Sequence, residues 1–108
     1  MDEREFFIEL DEDIKIFVWF SSQRGKIKNF VVKLIFKNIE ILRYDSAHGC
    51  PHKDILHPDP RKRRKVWYPG LDKATVLTLA ISELKQEYEF LIERYLKWFE
   101  EEQKSKKS

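Results

Sequence analysis

Partway along this chain the apolar residues change period, and the change limits what each half can become. Leu77, Ile81, Leu84, Tyr88, Leu91, Tyr95 and Trp98 recur at spacings of 4, 3, 4, 3, 4 and 3. A helix turns that spacing into one continuous apolar stripe. Asp72 stands just past the breaker Pro69-Gly70 and suits an N-cap, so a long helix is expected over 72–102. Before it the period is two. Ile14 to Phe20 is rich in β-branched and aromatic residues and reads as a strand. Ser21 to Lys26 supplies a hairpin loop in which Gly25 can take a positive φ. In the run 27–37 Phe30, Val32, Leu34 and Phe36 share one face, and a turn near Lys37-Asn38 leads into Ile39 to Tyr44. Phe6 to Leu10 adds an edge strand, and Val66-Trp67-Tyr68 returns to the sheet.

These periods predict an α+β fold: an antiparallel β meander of three to five strands with one long C-terminal helix packed across a face. At 108 residues the chain fits a single domain, 1–108. Within it lie an acidic arm (1–13), a histidine-rich and basic loop (46–65), the helix (72–102) and a frayed basic tail (103–108). The helix would span roughly 46 Å at ~1.5 Å per residue and outrun a ten-residue strand of about 33 Å. Either it kinks, or its end meets a second subunit. Tyr95, Trp98 and Phe99 are the aromatic residues there, and a homodimer is expected.

Composition narrows the class further. Aromatic residues form 14% of the chain, which supplies a bulky core, and a single cysteine, Cys50, allows no intramolecular disulfide. No apolar run reaches the ~18 residues of a membrane span, and the acidic opening Met1-Asp2-Glu3 is unlike a signal peptide, so a cytoplasmic location is expected. Charged residues reach 37% while Asn and Gln are scarce, a balance that resembles hyperthermophile proteins.

The net charge of +2 hides a partition. Residues 2–13 carry seven acidic and one basic group, whereas 14–65 carry thirteen basic and four acidic. The densest run is Arg61-Lys62-Arg63-Arg64-Lys65, a concentrated field for a polyanion such as RNA. The acidic arm lying against this run and neutralising it is the bland alternative.

All three histidines and the cysteine fall in one ten-residue stretch, His48 to His57, directly after Arg43, Tyr44 and Asp45. Loops at strand ends often hold binding and catalytic groups. Three chemistries fit these residue types. His48, Cys50 and His52 at alternate positions, closed by His57 or Asp54, could bind a metal, although Gly49 and Pro51 disfavour the regular strand that would align them. Cys50 could act as a nucleophile, but no orienting partner is evident. General acid-base work on a phosphodiester is the third, with His48 paired with His52 or His57, Arg43 holding the phosphate, Tyr44 donating a proton or stacking on a base, and Asp45 beside them. Lys53 and Arg61 to Lys65 would then bind the nucleic acid. This third reading is preferred, with no metal and no cofactor expected.

The segment Arg43-Tyr44-Asp45-Ser46-Ala47-His48-Gly49, followed by His52, Asp54 and His57, resembles a group of short prokaryotic proteins of unknown function. They carry a strand ending in R-Y-D-x-A-H-G, a histidine-containing loop and a terminal helix. The likeness extends over residues 24–97. More distantly it is similar to the R-W-D-N-A-P-H-H segment of TumE-type toxins of toxin-antitoxin pairs, with Tyr44 in place of Trp and Ser46 in place of Asn. That resemblance implies a toxin-like ribonuclease with an antitoxin-like protein partner. A non-enzymatic oligomerisation or interaction module with a structural histidine loop is the alternative.

Overall fold

The computed structural model describes residues 1–106, the side chain of His48 excepted. Six strands follow in chain order: β1 (Asp2–Asp11), β2 (Ile14–Gln23), β3 (Lys26–Phe36), β4 (Ile39–Asp45), β5 (His52–Ile55) and β6 (Arg64–Trp67). Each pairs antiparallel with the next. The helix α1 (Lys73–Ser105) comes last. The α+β class and the antiparallel meander are as expected, but three to five strands is an undercount. The discrepancy lies in the segment 46–65. Gly49, Pro51, Pro58 and Pro60 do break the chain, yet they sit at its bends and leave the four residues of β5 free to pair on both sides. Single 3₁₀ turns occupy two of these bends, Ala47–Gly49 and Pro60–Lys62.

Tight turns set the register. Arg24 (φ 53°) with Gly25 (φ 78°), and Lys37 (φ 48°) with Asn38 (φ 66°), are left-handed at both central positions, as a type I′ hairpin requires. The resulting pairing puts Ile16 opposite Leu34 and Val18 opposite Val32, and places Leu42 and Tyr44 beside them. All six are buried in one core with Phe30. From α1 that core receives Val76, Leu77, Ala80, Leu84, Leu91 and Ile92, while Ile81 and Tyr88 stay half-buried. The stripe read from the 4-3 spacing is therefore rotated. That spacing averages 3.5, whereas a straight helix advances 3.6 per turn and drifts by ~20° per heptad, so seven such positions cannot all face one sheet. Asp72 caps the helix, its Oδ1 accepting from the Thr75 N–H at 2.7 Å.

The far end of α1 is covered by its own chain. The His57 ring stacks on Trp98 with centroids 4.7 Å apart, and Lys62 Nζ pairs with Glu102 Oε1 at 2.6 Å. The connection between β5 and β6 thus lies on the last helical turns. Tyr95 and Trp98 are half-buried, leaving Phe99 exposed. The acidic arm is β1, at one edge of the sheet, while the basic run ends in β6, at the other. Four strands separate them, so within one chain the arm does not neutralise the run. No helix of the described residues is long and apolar enough to cross a membrane.

Candidate functional site

Cross-strand register brings the first constellation together. Asp45 pairs with His52, and Arg43 with Asp54, so these side chains share the sheet face turned away from α1. His52 is 1% exposed, roofed by the Trp67 ring at 4.9 Å. Its Nδ1 lies 3.2 Å from the Cys50 carbonyl oxygen, an acceptor only, so Nδ1 carries a hydrogen. Its Nε2 faces two carboxylates, Asp45 Oδ1 at 3.1 Å and Asp54 Oδ2 at 3.5 Å. The Ala47 N–H donates to Asp45 Oδ1 at 2.9 Å, and Lys65 Nζ stands 3.7 Å from Asp54 Oδ1. Beside this cluster Arg43 Nη2 grips both oxygens of Glu40 at 2.9 and 3.0 Å, with Lys33 Nζ on the same carboxylate at 2.6 Å. Partial burial alone would raise the Glu40 carboxyl, but these two cations outweigh it and hold it below its ordinary range.

On the opposite face Tyr44 and Lys53 are cross-strand partners, and both reach Glu83 of α1. The Tyr44 hydroxyl donates to Glu83 Oε1, and Lys53 Nζ donates to the same oxygen at 2.9 Å. Burial, then the Glu83 carboxylate, drive the Tyr44 phenol far above its ordinary range. It is a tie between sheet and helix.

The second constellation is a cleft of about 500 Å³ between the β5–β6 connection and the last turns of α1. Ile55, His57 and Trp98 form its apolar part, and Arg61, Lys62, Arg63, Arg64 and Arg94 surround them. Two of the cations are matched: Arg61 pairs with Asp59 at 3.1 Å and Lys62 with Glu102. Hydrogen bonds from Arg61 hold the Asp59 carboxyl down at about 2. None of the ion pairs among the described residues involves Arg63, Arg64 or Arg94. Arg63 Nε donates to the His57 carbonyl at 3.2 Å, which leaves its terminal nitrogens available. The Arg94 guanidinium lies over Trp98 at 4.8 Å and Phe90 at 5.6 Å; its Nε is buried without a hydrogen-bond partner, and burial lowers its basicity. His57 Nδ1 accepts from the Asp59 N–H at 2.9 Å, so a ring hydrogen sits on Nε2.

The residues expected to act together are therefore distributed over three places. Arg43, Asp45 and His52 meet on the open face; Tyr44 and Lys53 are tied to Glu83 under the helix; His57 stands in the basic cleft with Arg61 to Arg64. His48 falls in the 3₁₀ turn, and its side chain is outside the described residues. Cys50 points its Sγ at the Pro51 carbonyl, 3.7 Å away, and His57 lies against Trp98 rather than beside His52. Sequence reasoning passed over Trp67 and Arg94. Arg94 lies four residues before Trp98 on the same helical face, and that spacing was the available signal.

A family described as a domain of unknown function, DUF7718, matches residues 1–101. No curated protein and no solved structure matches the chain.

Proposed function

We propose, for a chain that belongs to the DUF7718 family of domains of unknown function, that it binds single-stranded RNA in the basic cleft. The observation that carries this reading is the set of three guanidinium groups, Arg63, Arg64 and Arg94, set around Trp98 and His57 and in no ion pair of the described residues. A guanidinium presents planar, permanently charged donors suited to phosphate. Trp98 already carries the His57 ring and the Arg94 guanidinium and is half-buried, so an unpaired base would contact the part of its ring system left exposed. RNA would thus match the local excess of positive charge.

Toxin-like hydrolysis, the activity implied by the R-Y-D-x-A-H-G likeness, asks more of the site. It needs an acid and a base near the phosphate, whereas Arg43 is committed to Glu40 and His52 is enclosed by acceptors on the open face. Support therefore goes to binding. The test is fluorescence of the full chain titrated with a single-stranded oligoribonucleotide. A stacked base should quench Trp98, and Trp98→Phe should remove that quenching while the fold, followed by circular dichroism, persists. Quenching undiminished in Trp98→Phe would place the RNA elsewhere.

A further inference from the structure

Three ring and carboxylate atoms, His52 Nε2, Asp45 Oδ1 and Asp54 Oδ2, converge on one point of the open sheet face. The Nδ1–H of His52 is fixed by the Cys50 carbonyl, so its Nε2 presents either a lone pair or one N–H to Asp45 Oδ1 and Asp54 Oδ2. A single N–H serves one carboxylate well at ~2.7–3.2 Å; the 3.5 Å separation from Asp54 lies outside that range. A metal ion, unlike one N–H, would engage all three atoms at once. Two ligands each about 2.0–2.2 Å from a common ion, at tetrahedral or octahedral angles, lie roughly 3.0–3.5 Å apart. The distances of 3.1 and 3.5 Å match that edge, and the three ligand atoms lie within 4.8 Å of one another.

We propose that Asp45, His52 and Asp54 form a binding site for one divalent transition-metal ion of the zinc or manganese class. The outer contacts are those a ligand set needs. A metal-bound imidazole characteristically donates its other N–H to a carbonyl, as His52 does to Cys50, and the Ala47 N–H orients the Asp45 carboxylate. Lys65 sits against Asp54 Oδ1 and leaves Oδ2 toward the ring. Asp45 and Asp54 retain side-chain exposures of 12% and 20%, enough for an ion to enter from the open face and keep water in its remaining positions. One imidazole with two carboxylates is a mixed donor set; imidazole favours zinc and carboxylates suit manganese. The set differs from the one expected from residue spacing, because His57 is held against Trp98 and the Cys50 thiol points to Pro51. It also stands on a different surface from the basic cleft, so its test does not involve RNA.

The test is calorimetric titration of the full chain, stripped of metal, with zinc chloride and separately with manganese chloride. One equivalent should bind, and the metal should raise the melting temperature because it binds only the folded ligand set. Asp54→Asn, a change at a partly exposed position that spares the core, should weaken binding at least about tenfold. Asp45→Asn should do the same, whereas Cys50→Ser should leave affinity unchanged. The proposal fails if neither ion binds with unit stoichiometry. It fails equally if Asp54→Asn binds as tightly as the wild type, or if the metal is lost in Cys50→Ser.

Discussion

Arg43 and Arg94 carry the same side chain in opposite circumstances. Arg43 holds both oxygens of Glu40, in a sheet face where cations and carboxylates alternate across strands: Lys33 with Glu40, Lys65 with Asp54. Arg94 lies on aromatic rings and, like Arg63 and Arg64 next to it, is in no ion pair of the described residues; the Nε of both Arg43 and Arg94 is buried and unpartnered, so the contrast lies in the carboxylate that Arg43 holds. The first region has found its counter-charges within the chain, and its charges serve the fold or a small cation. The second keeps an excess of positive charge at a stacked tryptophan, the feature on which the proposed RNA binding rests. Self-neutralisation by β1 is ruled out by the four strands between the two edges.

Breaking a tie made within the chain, away from the cleft, should cost stability and spare RNA affinity. Tyr44 is fully buried and ties β4 to α1 through Glu83, so Tyr44→Ala should destabilise by roughly 3–5 kcal/mol, as large aromatic truncations in cores do. Tyr44→Phe keeps the packing and removes the hydrogen bond, at a cost of about 1 kcal/mol. Urea denaturation of both variants checks the pair. Equal costs would mean that the hydroxyl, not the ring, carries the stabilisation.

Exchanging the two arginines sharpens the contrast. Arg94→Ala should weaken binding of a single-stranded oligoribonucleotide by about 1–3 kcal/mol at low salt if a phosphate or base occupies its edge. Arg43→Ala should leave RNA binding alone and cost at most about 1 kcal/mol of stability, because its pair with Glu40 is part-exposed and screened. Fluorescence anisotropy and thermal melting separate the two outcomes.

The smallest effect is the acid limb. Glu40, Asp59 and Asp72 are all held below their ordinary carboxylate values: Glu40 by Lys33 and Arg43 against the opposing effect of burial, Asp59 by Arg61, and Asp72 by the Thr75 hydrogen bonds. A carboxylate depressed in the folded state stabilises above its unfolded value and loses that contribution as pH falls through the folded one. Melting temperature should therefore drop between about pH 4 and pH 2. Asp72→Ala should lower it near neutrality and flatten part of that acid loss.

Local period carried most of the architecture: the alternation of Phe30, Val32, Leu34 and Phe36 and the stripe from Leu77 onward specify a sheet and a helix that cover each other. It could not carry β5, whose four residues lie among prolines and gain their identity from pairing with β4 and β6. The site suffered from the same gap. Asp45 and His52 are seven positions apart, and only their cross-strand pairing makes them neighbours. The cluster of histidines along the chain suggested one site because proximity in sequence was the sole distance available. Alternation across the sheet and the turn at Pro58 then send His52 to the open face and His57 to the helix. Arg94 went unnoticed because it belongs to a helix whose exposed face is densely charged throughout.

The central claim is that the unmatched cations of the cleft bind RNA. Affinity for a single-stranded oligoribonucleotide, measured between low and high salt on the wild type and on the triple variant Arg63→Ala, Arg64→Ala, Arg94→Ala, tests it most directly. Wild-type affinity should fall steeply with salt, and the variant's logarithmic slope should be shallower by roughly 2 units, about 0.7 for each phosphate contact removed from a single strand. A wild type that shows no affinity at low salt, or a variant with the wild-type slope, would contradict it.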